Sequence, residues 1–453
     1  MTDLNNISHV YFIGIGGIGM SALARYLNQQ GKTIAGYDKV ITALTKQLES
    51  EGIDIHYEDS FNAIPQEFKN PQQSLVIYTP AVPSDMCELV RFRESGIKTI
   101  KRAQLLGEIS KTMTCLAVAG THGKTTTSAI LAHLLHESGV KMTAFLGGIL
   151  EDYNTNYLHT GNDVMVVEAD EFDRSFMQLQ PDYAGITAMD PDHLDIYGDV
   201  AAFEQTFKDF AGLVPDGQLL VNEKVHLEGV QVGLASGDYK AHHIVIANGA
   251  YHFDLITPQG EYEGFCFKLP GKHNLANALL AIALASEYGV AMEQLKLALV
   301  TFAGVERRFT YRMDTEKRVI IDDYAHHPTE IDAVYHAVEE MYPEEKVLAV
   351  FQPHLFSRTN DFMDDFAVSL SQFDQVALLD IYPARELPME GVTSEALRSR
   401  ICALEQTPEV CIVIEKEDVA EFITEMNTRI VVMIGAGDIG VVIQKTVQKM
   451  TAV

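Results

Sequence analysis

The segment AVAGTHGKTTTSA, residues 117 to 129, sets Gly120, Thr121, His122 and Gly123 directly before Lys124, Thr125 and Thr126. Two glycines let a backbone approach a phosphate closely, a lysine there reaches β and γ phosphates, and a threonine hydroxyl suits Mg2+. Val118 stands where the common G-x-x-x-x-G-K-T spacing has its first glycine, so a glycine turn carrying a chance lysine is the bland alternative. Further on, VMVVEADEFDRSF places Glu168, Asp170, Glu171 and Asp173 past an apolar run. ITAMDPDHLDIYG does the same with Asp190, Asp192, His193 and Asp195. Mg2+ takes carboxylate and phosphate oxygens, so Glu168 with Thr125 makes one expected ion site and His193 suggests a second. Acids that only cap helices are the competing reading.

A second glycine segment, VYFIGIGGIGMSALA, has Gly14, Gly16 and Gly19 in G-x-G-x-x-G spacing, with Asp38 downstream. Alone it reads as a dinucleotide fingerprint, with the acid on a ribose. A third copy, Gly435, Gly437 and Gly440, weakens that reading. Only 13 residues follow it, too few for a ribose-binding strand, so there the motif is a strand-to-helix turn.

The elements that must position these residues alternate between β-rich runs and helical patterns: HVYFIGI, GMSALARYLNQQ, TIAGYD, TALTKQLES, LVIYTP, then DMCELVRFRES. Such alternation predicts an α/β protein with parallel sheets flanked by helices. One boundary falls before MTCLAVAG and another near RVIIDDYAHHPTE, giving expected domains 1–110, 111–311 and 312–453. The chain of 453 residues is 47% apolar, ample for packed cores, and carries net charge -29 from 34 basic and 63 acidic residues. That charge disfavours nucleic acid and anionic lipid, so any phosphate must meet a local patch. Five cysteines without C-x-x-C spacing fit a reducing cytosol. The amino terminus lacks a basic and apolar leader pattern, and no run is long enough to span a bilayer, so a soluble cytoplasmic protein is expected.

Ten segments in order resemble the Mur ligase family, specifically its alanine-adding branch: FIGIGGIGMSALA, AGTHGKTTT, VEADEFDRSF, DHLDIYG, GKHNLANALLA, GVERRF, DDYAHHPTE, FQPH, DIYPARE and GAGDI. The resemblance implies a Rossmann-like UDP-sugar-binding domain, a central P-loop ATPase-like domain and a Rossmann-like amino-acid domain. The first glycine loop then holds a sugar nucleotide through Gly16, Gly17, Ile18, Gly19, Asp38, Thr79 and Ala81, with no nicotinamide. ATP is expected on Gly120, Thr121, His122, Gly123, Lys124, Thr125 and Thr126. Asn274 would sit against adenine, and Arg308 and Asp323 would reach the nucleotide. Thr125, Glu168 and His193 would hold two Mg2+, with Lys124, Glu168, His193 and His327 catalytic. His326, His327 and Arg358 are expected on the amino-acid side. Lys208 stands near a position where several relatives carry a carbamylated lysine; it reads here as a solvated helix residue.

The implied reaction joins L-alanine to the lactyl carboxylate of UDP-N-acetylmuramate through an acyl phosphate, with ADP released. The nearer alternative is a recycling ligase that adds a whole peptide to the same sugar nucleotide. More distant are an ATP-driven switch without ligation and a nicotinamide oxidoreductase.

Overall fold

The computed structural model describes residues 6–190, 197–247, 249–384 and 386–451. Three sheets organise the chain. The first is built from β1 (His9–Ile13), β2 (Thr33–Tyr37), β3 (Asp54–His56), β4 (Ser74–Tyr78) and β5 (Lys98–Lys101), in the order β3-β2-β1-β4-β5 with every pair parallel. Alternation along β1 explains its place: Val10 and Phe12 enter one buried cluster while Tyr11 and Ile13 enter another on the opposite face. The helices α1 (Ile18–Gln29), α2 (Ala43–Ser50), α3 (Cys87–Glu94) and α4 (Arg102–Ser110) connect or follow these strands.

The second sheet contains β6 (Thr114–Ala119), β7 (Met142–Leu150), β8 (Thr155–His159), β9 (Val164–Glu168), β10 (Tyr183–Ile186), β11 (Leu219–Asn222), β12 (Val230–Gly233), β13 (Tyr239–Ala247), β14 (Ala250–Thr257) and β15 (Gly260–Phe267). Its order is β15-β14-β13-β12-β11-β10-β6-β9-β7-β8. β6 is parallel to both β9 and β10 and leads into α5 (Lys124–Glu137); α6 (Val200–Ala211) and α7 (Lys272–Tyr288) follow later.

The third sheet runs β16-β17-β21-β18-β19-β20, from β16 (Thr310–Asp314), β17 (Val319–Asp323), β18 (Val347–Phe351), β19 (Gln375–Leu378), β20 (Val410–Val413) and β21 (Ile430–Ile434). Only the β16 pairing is antiparallel. α8 (Met292–Leu299), α9 (Pro328–Met341), α10 (Phe356–Asp361), α11 (Met363–Leu370), α12 (Ser394–Ile401), α13 (Val419–Met426) and α14 (Ile439–Thr451) complete the described helices. The turn at Gly435 leads from β21 to α14, as expected for the third glycine motif.

Compactness divides the chain into two units: residues 1–245, 252–267 and 276–303 form the first, and 246–251, 268–275 and 304–453 the second. The first unit therefore contains the first sheet and most of the second, sharing one buried cluster that runs from Val10 and Phe12 to Cys115, Met165 and Val221. The second has its own core around Ile320, Leu348, Val431 and Met433. No helix among the described residues is long and apolar enough to cross a membrane.

Candidate active site

In open parallel sheets, ligands gather beyond the carboxyl ends of strands where the strand order reverses. β6 is such a point, with β9 on one side and β10 on the other. The turn after it uses Gly120 at φ 133° and Gly123 at φ 82°, backbone regions that favour glycine. A Cβ on Gly120 would also stand 2.1 Å from Thr187 Oγ1, and one on Gly123 would stand 2.5 Å from Asn277 Oδ1. Thr121 fastens the loop to the segment that follows β10, donating its N–H to Ala188 O at 3.1 Å and accepting from Asp190 N at 3.1 Å. The His122 carbonyl accepts from the Thr187 hydroxyl. Gly123 caps α5 without a side-chain acceptor, so the helix start keeps its N–H groups and positive end for an anion.

Lys124 opens that helix, with Thr126 buried behind it in the first turn. Its Nζ donates to Gly120 O at 2.6 Å and to both carboxylate oxygens of Glu171, at 2.8 and 2.9 Å. Burial pushes the ammonium pKa down, but Glu171, Asp170 and Glu168 outweigh it and the net shift is upward. Burial pushes Glu171 up to about 7 against the pull of Lys124.

Thr125 Oγ1 donates to Glu168 Oε1 at 3.1 Å, and Gly147 N donates to Glu168 Oε2 at 3.1 Å. A Cβ on Gly147 would lie 2.2 Å from that oxygen, so the glycine leaves room for the carboxylate. A hydroxyl and a carboxylate held together at a phosphate-type loop are an oxygen donor set that fits Mg2+. His193, expected beside them, lies outside the described residues, as do Asp192 and Asp195. Lys208 is half exposed on α6, with Glu204 one turn away at 4.0 Å.

The first glycine loop occupies the equivalent reversal in its sheet, between β1 and β4. Gly14 turns the chain at φ 82°, and Gly17 starts α1 without a side-chain cap. Asp38 shapes the loop itself, its Oδ2 accepting from Gly16 N at 2.7 Å. A Cβ on Gly16 would meet that oxygen at 2.8 Å and Thr45 Cγ2 at 2.6 Å. Ile18 O accepts from Ser21 Oγ at 2.9 Å and from Asn156 Nδ2, which ties the helix start to β8. Thr79 and Ala81 form the turn after β4, with Ala81 N donating to Thr79 Oγ1 at 3.3 Å. Beside it opens a cleft of about 390 Å³ lined by Tyr78, Val82, Arg93 and Lys101 among others. The Arg102 guanidinium stands against Gly19, where a Cβ would be 2.2 Å from it, and pairs with Asp170 at 3.3 Å.

The remaining expected residues belong to the second unit. Asn274, buried in the first turn of α7, donates from Nδ2 to Pro270 O at 2.6 Å. Asp323, buried at the end of β17, accepts from Phe309 N and Ala325 N at 2.8 Å each. Burial pushes its carboxyl up to about 6, against the nearby Arg308. Arg308 lies over the Tyr324 ring at 5.4 Å. Its neighbour Arg307 donates to Gly435 O and to Gly437 O, so this arginine secures the third glycine turn. His326 Nδ1 is 3.0 Å from Tyr324 O; burial lowers its pKa, and the Arg358 charge on α10 adds to that lowering. His327 is the N-cap of α9, its Nδ1 accepting from Thr329 N at 3.4 Å while its ring meets Phe362 at 4.7 Å.

Family models match the chain in three consecutive parts: Mur ligase family, catalytic domain, at residues 9–114; Mur ligase middle domain at 118–285; and Mur ligase, glutamate ligase domain, at 307–440. A Christiangramia forsetii protein named UDP-N-acetylmuramate--L-alanine ligase is 53% identical over 448 residues, 98% of each chain. The chain belongs to the Mur ligase family. A Flavobacterium johnsoniae protein of the same name is also 53% identical, over 97% of each chain. Among solved structures, the UDP-N-acetylmuramate-alanine ligase of Thermotoga maritima superposes with a TM-score of 0.84 at 29% identity, covering 98% of this chain and 99% of that one. A murein peptide ligase from Psychrobacter arcticus shares the fold, with a TM-score of 0.70 at 22% identity, covering 98% and 99%.

As a Mur ligase, the chain shows two features that spacing alone does not give. Glu171, one of three acids just past β9, is the direct counter-ion of Lys124, and Arg102 links Gly19 to Asp170. The basic pair Lys101 and Arg102, in an acidic chain, is the one available sequence signal for the second.

Proposed function

We infer that this chain is an ATP-dependent, ADP-forming ligase that joins L-alanine to the lactyl carboxylate of UDP-N-acetylmuramate in the cytoplasm, an early step of peptidoglycan synthesis. The observation that carries the reading is the set Lys124, Thr125 and Glu168 at the β6 reversal, in a chain half identical to curated ligases of that name. A free carboxylate is a poor acyl donor, so it must first be activated. In this reading the lactyl carboxylate attacks the γ phosphorus of ATP in line, and the bond to the β-phosphate oxygen breaks. Lys124 would meet charge developing on the transferring group, and Mg2+ held by Thr125 and Glu168 would neutralise the phosphate oxygens. A second ion beside His193 belongs to the same proposal. The neutral amine of L-alanine then attacks the acyl carbon, and the tetrahedral intermediate expels phosphate. Asn274, Arg308 and Asp323 are proposed to contact the nucleotide, and His326, His327 and Arg358 to receive the amino acid. Of these, His327 is the proposed acceptor of the amine proton, and burial lowers the pKa of its neighbour His326.

The test is ADP release with each substrate omitted in turn, then with L-alanine replaced by a tripeptide. Turnover only with the sugar nucleotide and L-alanine together supports the reading. Preference for the tripeptide would favour a recycling ligase, and ADP without either acceptor would favour a switch.

A prediction arises at the first loop. Gly16→Ala drives a methyl against Asp38 and Thr45, so the loop cannot keep the shape that presents the start of α1. The KM for the sugar nucleotide should rise by about tenfold or more, with ATP affinity unchanged. Isothermal titration with each nucleotide checks both halves; tight binding of a nicotinamide dinucleotide to the native chain would overturn the assignment of this loop.

A further inference from the structure

We propose that His242, His243 and Asp254, with Glu261 beside them, form a surface site for one divalent transition ion of the zinc type on the three outer strands β13, β14 and β15. One donor atom from each of His242, His243 and Asp254 lies within 4.8 Å of the others. Successive side chains of a regular strand point to opposite faces. Here they do not diverge: His243 has φ 51°, in the left-handed region, and the two imidazole centroids stand 4.3 Å apart. The pairs already assembled have useful spacings, His243 Nδ1 at 3.0 Å from Asp254 Oδ2 and His242 Nε2 at 2.9 Å from Glu261 Oε1. Those are close to the ~3.3 Å edge of a tetrahedron with bonds of about 2.0 to 2.1 Å. His242 Nε2 is shielded from solvent and makes no hydrogen bond, although Glu261 Oε1 stands 2.9 Å away. Asp254 is steadied by Gly264 N, which donates to its Oδ1 at 2.9 Å, while His243 is 74% exposed and can swing to close the set.

The donor chemistry selects the ion. Mg2+ takes oxygen ligands, whereas two imidazoles with carboxylates suit zinc, nickel or copper. The site is therefore chemically separate from the oxygen pair of Thr125 and Glu168. A bound ion would pin the three outer strands to one another.

The experiment uses the full chain, freed of metal and kept in saturating Mg2+ so that oxygen-only sites are filled. Zn2+ is titrated calorimetrically, and Co2+ is added in parallel as a visible-absorbing probe of nitrogen ligation. Expected are one Zn2+ per chain, a Co2+ spectrum of low coordination number and a raised Tm. The double variant His242→Ala, His243→Ala should bind Zn2+ at least about tenfold more weakly and lose the Tm rise. Asp254→Asn should weaken binding with both imidazoles intact. Ligation without added zinc should be unaffected in all variants, which also confirms their folding. Unaltered stoichiometry and affinity in the double variant would place the ion elsewhere and overturn the proposal. So would a native chain that takes up no Zn2+ in Mg2+.

Discussion

Lys124→Ala should reduce ADP formation by about a thousandfold or more while leaving sugar-nucleotide binding within about twofold. The ammonium sits at the start of α5, on Gly120 O and Glu171, with its pKa raised, which puts a positive charge where the proposed phosphoryl transfer needs one. No other Lys or Arg lies on the turn from Gly120 to Gly123 to replace it. The sugar nucleotide is proposed to bind at a different sheet, which predicts that its calorimetric affinity survives. Removing a lysine from a buried pair also costs stability. Glu171, already pushed up to about 7, can relieve that cost by taking a proton. The double variant Lys124→Ala, Glu171→Gln should therefore regain any lost Tm without regaining turnover. Recovery of turnover along with stability would mean that Lys124 serves the fold alone.

Glu168→Gln should be nearly as damaging for a different reason. The amide keeps the size of the side chain and an oxygen that can accept from Gly147 N, but it removes the charge facing Thr125. A site of this kind should then need at least about tenfold more Mg2+ for half-maximal rate, with kcat down by about a hundredfold even at saturation. Following ADP release across a Mg2+ series separates the two effects. An unchanged Mg2+ requirement would show that Glu168 does not hold the ion.

What could be read in advance was local. Gly120, Gly123 and Lys124 are within one turn of each other, and the run before them is apolar enough to mark β6. The turn and the helix start therefore follow from adjacent residues. The same holds for Gly14 to Gly19 and for Gly435 to Gly440. Pairings across sequence distance were not legible: Lys124 and Glu171 meet because β9 lies beside β6, and nothing in EADEFD says which acid faces the lysine. GVERRF raises the same difficulty, since only the folded chain shows Arg307 on the Gly435 turn and Arg308 over Tyr324. His327, adjacent to His326 in sequence, differs from it by capping α9, a role fixed by the Pro328 that follows. A short strand such as β3, three residues, carries too little apolar pattern to stand out. The partition into 1–110, 111–311 and 312–453 follows composition and motif order, whereas compactness merges the first sheet with the second because α1 packs against β7 and β8.

The most direct test of the proposed chemistry follows an oxygen atom. UDP-N-acetylmuramate labelled with heavy oxygen in its lactyl carboxylate is turned over with ATP and L-alanine, and the phosphate products are analysed by mass. Attack of that carboxylate on the γ phosphorus carries one labelled oxygen into the inorganic phosphate that leaves, with unlabelled ADP as the other product. Labelled AMP with pyrophosphate would contradict γ-phosphoryl transfer, and unlabelled phosphate would contradict activation through an acyl phosphate.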